Sequence, residues 1–155
     1  MSAVVRRPVA FAAAIVLFVE AAGMVLVNGI LATVVDNQEM SLAGLDPAAM
    51  SAGAWAMGGV AGLYLLLCGL VLLLTGIRDR DPGRVGRFAL ISCAVVHGVL
   101  GALTVGLVGW AAFAFMMVVL GLIVLTLVAY GTAREKSDGE ADGNGGAEEG
   151  APAPA

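Results

Sequence analysis

Glu20 is the residue of this chain with the clearest capacity for chemistry, because it is an acidic side chain deep inside a long apolar stretch. It lies about eleven residues after Val9, which is roughly 16 Å along a helix and close to the midplane of an apolar membrane core about 30 Å thick. A carboxylate at that depth is costly unless it is protonated, paired or hydrated. The only histidine, His97, follows Phe88 by about nine residues, or roughly 14 Å. These similar depths predict a contact between Glu20 and His97.

Other polar side chains could extend this pair into a site. His97 and Thr104 are seven residues apart and therefore share one face of a helix. Asn28 lies two helical turns beyond Glu20, and the hydroxyl of Tyr64 needs a hydrogen-bond partner if it is buried. One interpretation is a proton-responsive or substrate-binding site. The other is a set of interhelical hydrogen bonds that fix the register of the helices. The candidate site residues are Glu20, His97, Asn28, Tyr64 and Thr104.

The sequence contains no motif that predicts an enzyme, a metal site or a cofactor. Cys68 and Cys93 lie in apolar stretches without CxxC spacing, and a single histidine cannot complete a zinc site or a bis-histidine haem site. A phosphate-binding loop, a GxSxG motif and an HExxH motif are also missing from the sequence. We therefore expect a protein that is not an enzyme, with no metal, no cofactor and two cysteines that act as small buried residues.

The elements that position these residues are four apolar stretches, which predict an all-α integral membrane protein. The composition is 60% hydrophobic and only 13% charged, against about 25% charged residues in soluble domains. The predicted spans cover residues 9–33, 52–77, 86–107 and 110–130, within a transmembrane domain of residues 1–131.

All eight basic residues lie at the same ends of these spans. Because basic segments near span ends stay in the cytoplasm, the pattern predicts an antiparallel four-helix bundle with both termini inside, in a bacterial cell membrane. The basic residues are Arg6, Arg7, Arg78, Arg80, Arg84, Arg87, Arg134 and Lys136. A cleaved signal peptide ending near Val19-Glu20-Ala21 is the alternative for the N-terminus, but the apolar run continues past it and favours an uncleaved span.

Local signals predict where the helices begin and end. Asp46-Pro47 is typical of a helix start, since Asp46 can accept backbone amide protons and Pro47 suits the first turn. Pro82-Gly83 predicts a tight turn between the second and third spans. The stretch from Gly106 to Trp110 predicts the turn between the third and fourth spans.

Small residues recur at spacings that allow helices to approach closely. The second span carries Gly58, Gly62, Gly69 and Gly76, and the third carries Ala94, Gly98, Ala102 and Gly106. Stripes of this kind are used in membranes where lipid gives helices no hydrophobic reason to associate. We expect packing within the chain, with a homodimer or a partner interface as the alternative.

Residues 132–155 are acidic and rich in glycine, alanine and proline, without large apolar side chains. Such a segment cannot bury enough apolar area to offset its ordering entropy. We therefore expect a disordered cytoplasmic tail, either simply solvated or recruiting a partner. The net charge of −4 resides in this tail and the rest of the chain is balanced, so the sequence predicts no nucleic-acid binding.

A four-span protein with a single glutamate in its first span, here within Glu20-Ala21-Ala22-Gly23, is similar to the small multidrug resistance exporters. The resemblance covers the number of spans and that glutamate, and it implies a Glu20 that binds protons and cationic drugs in competition. The chain departs from the family in its longer acidic loop after the first span and in its tail. Its one-sided basic residues also differ from the dual topology of some members.

Two classes of function follow from these observations. The first is a non-enzymatic accessory, interaction or structural component of the membrane, whose partners are the lipid bilayer and either another membrane protein or further copies of the chain. The second is a small proton-linked transporter or a pH-responsive membrane protein that uses Glu20 and His97.

Overall fold

The computed structural model describes residues 3–38, 44 and 46–145, and side chains within 5–38, 44 and 46–131. It contains four helices: α1 (Ala3–Asn37), α2 (Pro47–Arg78), α3 (Gly83–Leu107) and α4 (Trp110–Gly145). Each helix is long and apolar enough to cross a membrane, with mean hydropathy between 2.1 and 2.8. The prediction of an all-helical chain with four apolar helices is therefore confirmed.

The predicted helix boundaries follow local chemistry. Asp46 caps α2 by accepting a hydrogen bond from the amide of Ala48 at 2.9 Å, and Pro47 follows as the first helical residue. Arg78 ends α2, and Gly83 begins α3 with a φ of 70°, a conformation that favours glycine. Gly109, with a φ of 117°, separates α3 from α4. The predictions of a capped start at Asp46 and of a turn before Trp110 are confirmed.

The helices pack so that α1 and α3 lie diagonally across the interior. The most extensive contacts join α1 to α2 and α3 to α4, with smaller ones between α1 and α4 and between α2 and α3. The helices α1 and α2 run antiparallel: Asn28 lies beside Gly58, whereas Ala10 lies beside Gly76. Direct contact between α1 and α3 therefore requires side chains that reach across the centre.

The outer surface of the four helices is apolar. Val60 is 71% exposed, Val85 84% and Phe88 73%. A soluble domain rarely leaves an apolar surface of this extent uncovered, whereas lipid tails solvate it without penalty. The interior is a core that includes Leu17, Leu72, Leu90 and Ile123.

Gly58, Gly62, Gly69 and Gly76 of α2 pack against α1, within the chain. A methyl group added at Gly58 would lie 2.6 Å from Cβ of Asn28, and one added at Gly62 would lie 2.6 Å from Cγ2 of Val25. Gly69 contacts Phe18, and Gly76 contacts Ala10 and Phe11.

Beyond its first member, the small-residue stripe of α3 does not pack against another helix among the described residues. Ala94 is buried, but Ala102 is exposed, and methyl groups added at Gly98 and Gly106 would meet no atom within 4 Å. Four residues advance a helix by one turn plus about 40°, so a strict four-residue stripe rotates away from the core. The buried face alternates its spacing instead, through Gly86, Leu90, Cys93, Ala94, His97 and Gly101.

The fourth helix extends past the predicted span end at residue 130. Its backbone stays helical to Gly145, where the composition predicts a disordered tail from residue 132. Residues 133–136 read Ala-Arg-Glu-Lys, all strong helix formers, and they can continue a helix that is already nucleated. The rest of the predicted tail, residues 146–155, lies outside the described residues, as does most of the loop between α1 and α2.

Candidate functional site

Glu20 and His97 meet in the interior and join the diagonal helices α1 and α3. Oε2 of Glu20 lies 3.0 Å from Nε2 of His97. The side chains are 9% and 4% exposed, respectively. The contact predicted from their similar depths is present.

The second ring nitrogen of His97 determines how many protons the pair carries. Nδ1 lies 2.8 Å from the backbone oxygen of Cys93, and because a carbonyl oxygen only accepts, Nδ1 must donate. Nε2 then either donates its own hydrogen to a carboxylate or accepts one from a carboxylic acid. In both arrangements the pair is neutral overall and holds one shared proton. If that proton leaves, a bare nitrogen lone pair faces a carboxylate, and the contact becomes repulsive.

The other carboxyl oxygen of Glu20 has no partner. Oε1 is fully buried and is the one side-chain nitrogen or oxygen among the described residues that is buried without a hydrogen bond. An unpaired buried acceptor costs about 1–3 kcal/mol. The pair is therefore one hydrogen bond short of complete satisfaction.

A cavity of about 480 Å³ borders the pair and is lined by residues from all four helices. Its walls are almost entirely apolar, and the polar residues among them are Glu20, His97 and Tyr64. Ligand sites in proteins commonly occupy about 300–1,000 Å³, so the cavity can hold a small molecule. The apolar lining includes Met24, Met57, Leu65, Leu100, Phe115 and Met116.

The other three predicted site residues do not bond to the pair. The side-chain amide of Asn28 donates to the carbonyl of Met24 at 2.9 Å, and Thr104 donates to the carbonyl of Gly101 at 2.7 Å. Tyr64 borders the cavity, but its hydroxyl bonds to Ser92 at 2.9 Å and to the carbonyl of Ala89 at 3.3 Å. Tyr64 therefore links α2 to α3, while Asn28 and Thr104 satisfy themselves within their own helices.

A second polar cluster, which was not predicted from the sequence, joins the start of α1 and the end of α2 to Tyr130 of α4. Arg6 binds both carboxyl oxygens of Asp79 at 2.9 Å, and the hydroxyl of Tyr130 donates to the same carboxylate at 3.3 Å. The guanidinium of Arg6 also lies over the ring of Tyr130, 5.1 Å from its centre. We call Arg6, Asp79 and Tyr130 the Asp79 cluster.

The sequence offered a partial signal for this cluster, since basic and acidic residues occur at the same helix ends. It could not distinguish Asp79 from Asp81. That choice depends on the left-handed backbone of Asp79, with φ 50° and ψ 38°, which ends α2 and sets the direction of the side chain. The hydrogen bonds from Arg6 hold the pKa of Asp79 below its ordinary value of 3.8.

No group of three or more His, Cys, Asp or Glu side chains that could hold a metal ion occurs in the part of the chain that the structure describes. Comparison of the chain with protein-family models, with curated proteins and with solved structures finds no match.

Proposed function

We propose that this chain is a non-enzymatic, proton-responsive integral membrane protein whose proton site is the Glu20–His97 pair. The observation that carries the proposal is the 3.0 Å hydrogen bond between two buried titratable groups on diagonal helices. Its shared proton holds α1 and α3 together. Loss of that proton turns the bond into a repulsion, so proton binding is coupled to the packing of the helices.

A purely structural role explains this arrangement less well. Interhelical hydrogen bonds in membranes contribute about 0.6 kcal/mol on average. The unpaired Oε1 alone costs at least as much. A pair of apolar side chains would therefore hold the helices together without the free-energy cost of an unpaired oxygen. A proton site gives a reason for the presence of the carboxyl group.

Other titratable groups surround the pair and must be considered in any pH response. Cys93 of α3 lies 3.6 Å from Nδ1 of His97, and α2 contributes Cys68 to the same core and Tyr64 to the cavity wall. The cavity residues of α4 are Phe115 and Met116, neither of which titrates. The thiols and the phenol ordinarily titrate well above the range in which a carboxyl and an imidazole do so.

Infrared difference spectroscopy on the protein in liposomes tests the proposal. Changing the pH between about 5 and 8, where histidine ordinarily titrates, should produce carboxyl and imidazole difference bands in the parent protein. Both should be lost in Glu20→Gln, which keeps an amide hydrogen bond to His97 but has no acidic proton. A Cys93→Ala variant serves as the control and should retain the bands. Unchanged bands in Glu20→Gln, or none in the parent, would overturn the proposal.

We also propose that both termini lie in the cytoplasm and that the protein resides in the cell membrane. Support comes from the arginines, since Arg6 and Arg7 at the start of α1 contact the end of α2 at Asp79 and Gly76, respectively. Single cysteines introduced at Gln38 and Arg80, at opposite ends of the helices, test this orientation. An impermeant maleimide should label Gln38→Cys in intact cells and Arg80→Cys only after the membrane is opened. The reverse pattern would invert the topology.

The uncovered face of α3 favours a second candidate function, that of an interaction or accessory component. Gly98, Ala102 and Gly106 lie four residues apart, and added methyl groups at the two glycines would meet no atom of the described residues within 4 Å. The face is therefore free to receive another helix, including one from a second copy. Gly98→Leu should leave folding intact but lower self-association measured by energy transfer in liposomes. Leu103→Phe, at an exposed position, is the control, and equal association in both variants would contradict this function.

A further inference from the structure

The cavity beside Glu20 offers a ligand one unused polar atom. Both nitrogens of His97 are engaged, the Tyr64 hydroxyl is engaged with α3, and Oε2 of Glu20 is engaged with His97. Oε1 of Glu20 remains without a partner. We propose that the cavity binds an uncharged, predominantly apolar molecule that carries one hydroxyl or N–H group, whose hydrogen is donated to Oε1 of Glu20. This inference rests on the proposed function, since it uses the same pair.

The requirement for a donor follows from the chemistry of Oε1. In the carboxylate form this oxygen only accepts hydrogen bonds, and in the acid form, with the proton on Oε2, it is the carbonyl oxygen and again only accepts. A ligand that has acceptors alone, such as an ether or a ketone, leaves Oε1 unpaired. Oε1 is covered in the unoccupied protein, so binding needs a small rotation of the Glu20 carboxyl group toward the cavity.

The requirement for an uncharged ligand follows from the shared proton. While that proton is present the pair is neutral, and no other charged side chain lines the cavity. A bound cation would then be a buried charge without a counterion, which is strongly unfavourable. A cation could enter only as the proton leaves, so its binding would strengthen as pH rises. An uncharged donor needs no counterion and can bind while the proton is present.

The walls of the cavity determine the rest of the ligand. Three methionines, Met24, Met57 and Met116, lie around it together with Leu65, Leu100 and Phe115. Thioether side chains are flexible and adapt to apolar bodies of different shape. A volume of about 480 Å³ accommodates a ring with a short alkyl chain, and para-hexylphenol is therefore a suitable probe.

The experiment compares three matched probes by equilibrium binding to the protein in lipid nanodiscs. The probes are para-hexylphenol, its methyl ether, which lacks the donor, and hexyltrimethylammonium, which carries a fixed charge. Ala61→Phe, which places a phenyl ring in the cavity, measures partition into lipid. After the signal of Ala61→Phe is subtracted, the phenol should bind about tenfold more tightly than the ether, because one hydrogen bond to a buried acceptor implies a difference of this size. At acidic pH the phenol should also bind more tightly than the ammonium.

Two Glu20 variants separate the ligand from the proton. Glu20→Gln keeps an acceptor oxygen while its amide nitrogen donates to His97. This variant should therefore keep the preference for the phenol over the ether, and its binding of the ammonium should no longer depend on pH. Glu20→Leu combined with His97→Leu removes both Oε1 and Nε2 as acceptors and should bind phenol and ether equally. Equal binding of phenol and ether by the parent protein would overturn the inference, as would tighter binding of the ammonium at every pH. The proton site itself would fail separately, through the infrared bands.

Discussion

At the scale of single residues, the pairing of Glu20 with His97 solves a solvation problem. Both side chains are at least nine-tenths buried, and each gives the other a hydrogen-bond partner at 3.0 Å. The imidazole is further oriented by the backbone carbonyl of Cys93. This second contact fixes which nitrogen faces Glu20 and leaves Nε2 and the carboxyl group to share the proton between them.

Replacing Glu20 should reveal this partnership through stability. Glu20→Gln can donate an amide hydrogen to Nε2 of His97, so thermal unfolding in detergent should change little. Glu20→Leu leaves Nε2 buried without a partner and should destabilise the protein by about 1–3 kcal/mol. If Gln is as damaging as Leu, the hydrogen bond is not what holds these residues together. If Leu is as stable as the parent, Glu20 is dispensable for folding and its role is functional alone.

The sequence predicted this pair because depth in a membrane can be counted along a helix. Glu20 and His97 lie at similar distances from the same side of the bundle, so the number of residues along each helix was sufficient to predict that they meet. The same reasoning did not predict the partners of Asn28 and Thr104, which bond to carbonyls of their own helices. Short polar side chains make such local bonds readily, and only the rotamers reveal whether they do. The unpaired Oε1 and the cavity depend on packing among four helices and could not be predicted.

At the scale of elements, the contrast between α2 and α3 shows what a small-residue pattern predicts. The seven-residue repeat of Gly62, Gly69 and Gly76 keeps to one face of α2, and all three meet α1. The four-residue repeat on α3 rotates off the core, so only Ala94 is buried among its first three members. A period near 3.5 residues follows a packing seam, whereas a strict period of four does not.

Alanine substitutions in α2 should therefore have opposite effects at neighbouring glycines. Gly62→Ala places a methyl group 2.6 Å from Cγ2 of Val25 and 3.3 Å from the backbone oxygen of Ala21. Because the backbone cannot yield cheaply, we expect a loss of about 1–3 kcal/mol.

Gly59→Ala is the matched control, since its methyl group meets nothing within 4 Å. It should be neutral or stabilise by up to about 1 kcal/mol, because alanine favours the helix. Thermal unfolding of both variants in the same detergent provides the measurement. Equal effects at the two sites would mean that α1 and α2 do not pack through this seam.

At the scale of the whole molecule, polar contacts at several points add to the apolar packing between the helices. The Glu20–His97 pair crosses the centre, and the Asp79 cluster joins the start of α1 to the end of α2 and to Tyr130 of α4. Arg7 adds to this end by donating to the carbonyl of Gly76 at 3.1 Å, which satisfies an unpaired oxygen of the last turn of α2. We propose that the Glu20–His97 pair responds to a proton in the interior, whereas the Asp79 cluster sets the geometry at the ends of α1 and α2.

The number of helices and their turns could be predicted from the sequence because hydropathy, Asp46-Pro47 and the glycine near Trp110 are local signals. The Asp79 cluster could not, because it brings together residues 73 positions apart through the left-handed backbone at Asp79. The helical continuation of α4 to Gly145 was also missed. Composition shows that this segment has no core to bury, but not that a preceding helix can extend through it.

The Asp79 cluster should make stability fall in acid, and the sign follows from its pKa. Hydrogen bonds from Arg6 lower the pKa of Asp79 in the folded protein below the ordinary value of 3.8. The ionised form is therefore favoured by folding, so its contribution to stability is complete above pH 3.8 and is lost as the pH falls through the lower pKa of the folded protein.

The melting temperature in detergent should drop across this pH window, and the drop should be smaller in Asp79→Asn. Asp36→Asn, at an exposed position near the far end of α1, should keep the full drop. Because Asp79 is partly exposed, salt should weaken the effect. If the melting temperatures of Asp79→Asn and of the parent protein fall equally as the pH is lowered, the Asp79 cluster does not hold α1, α2 and α4 together in solution.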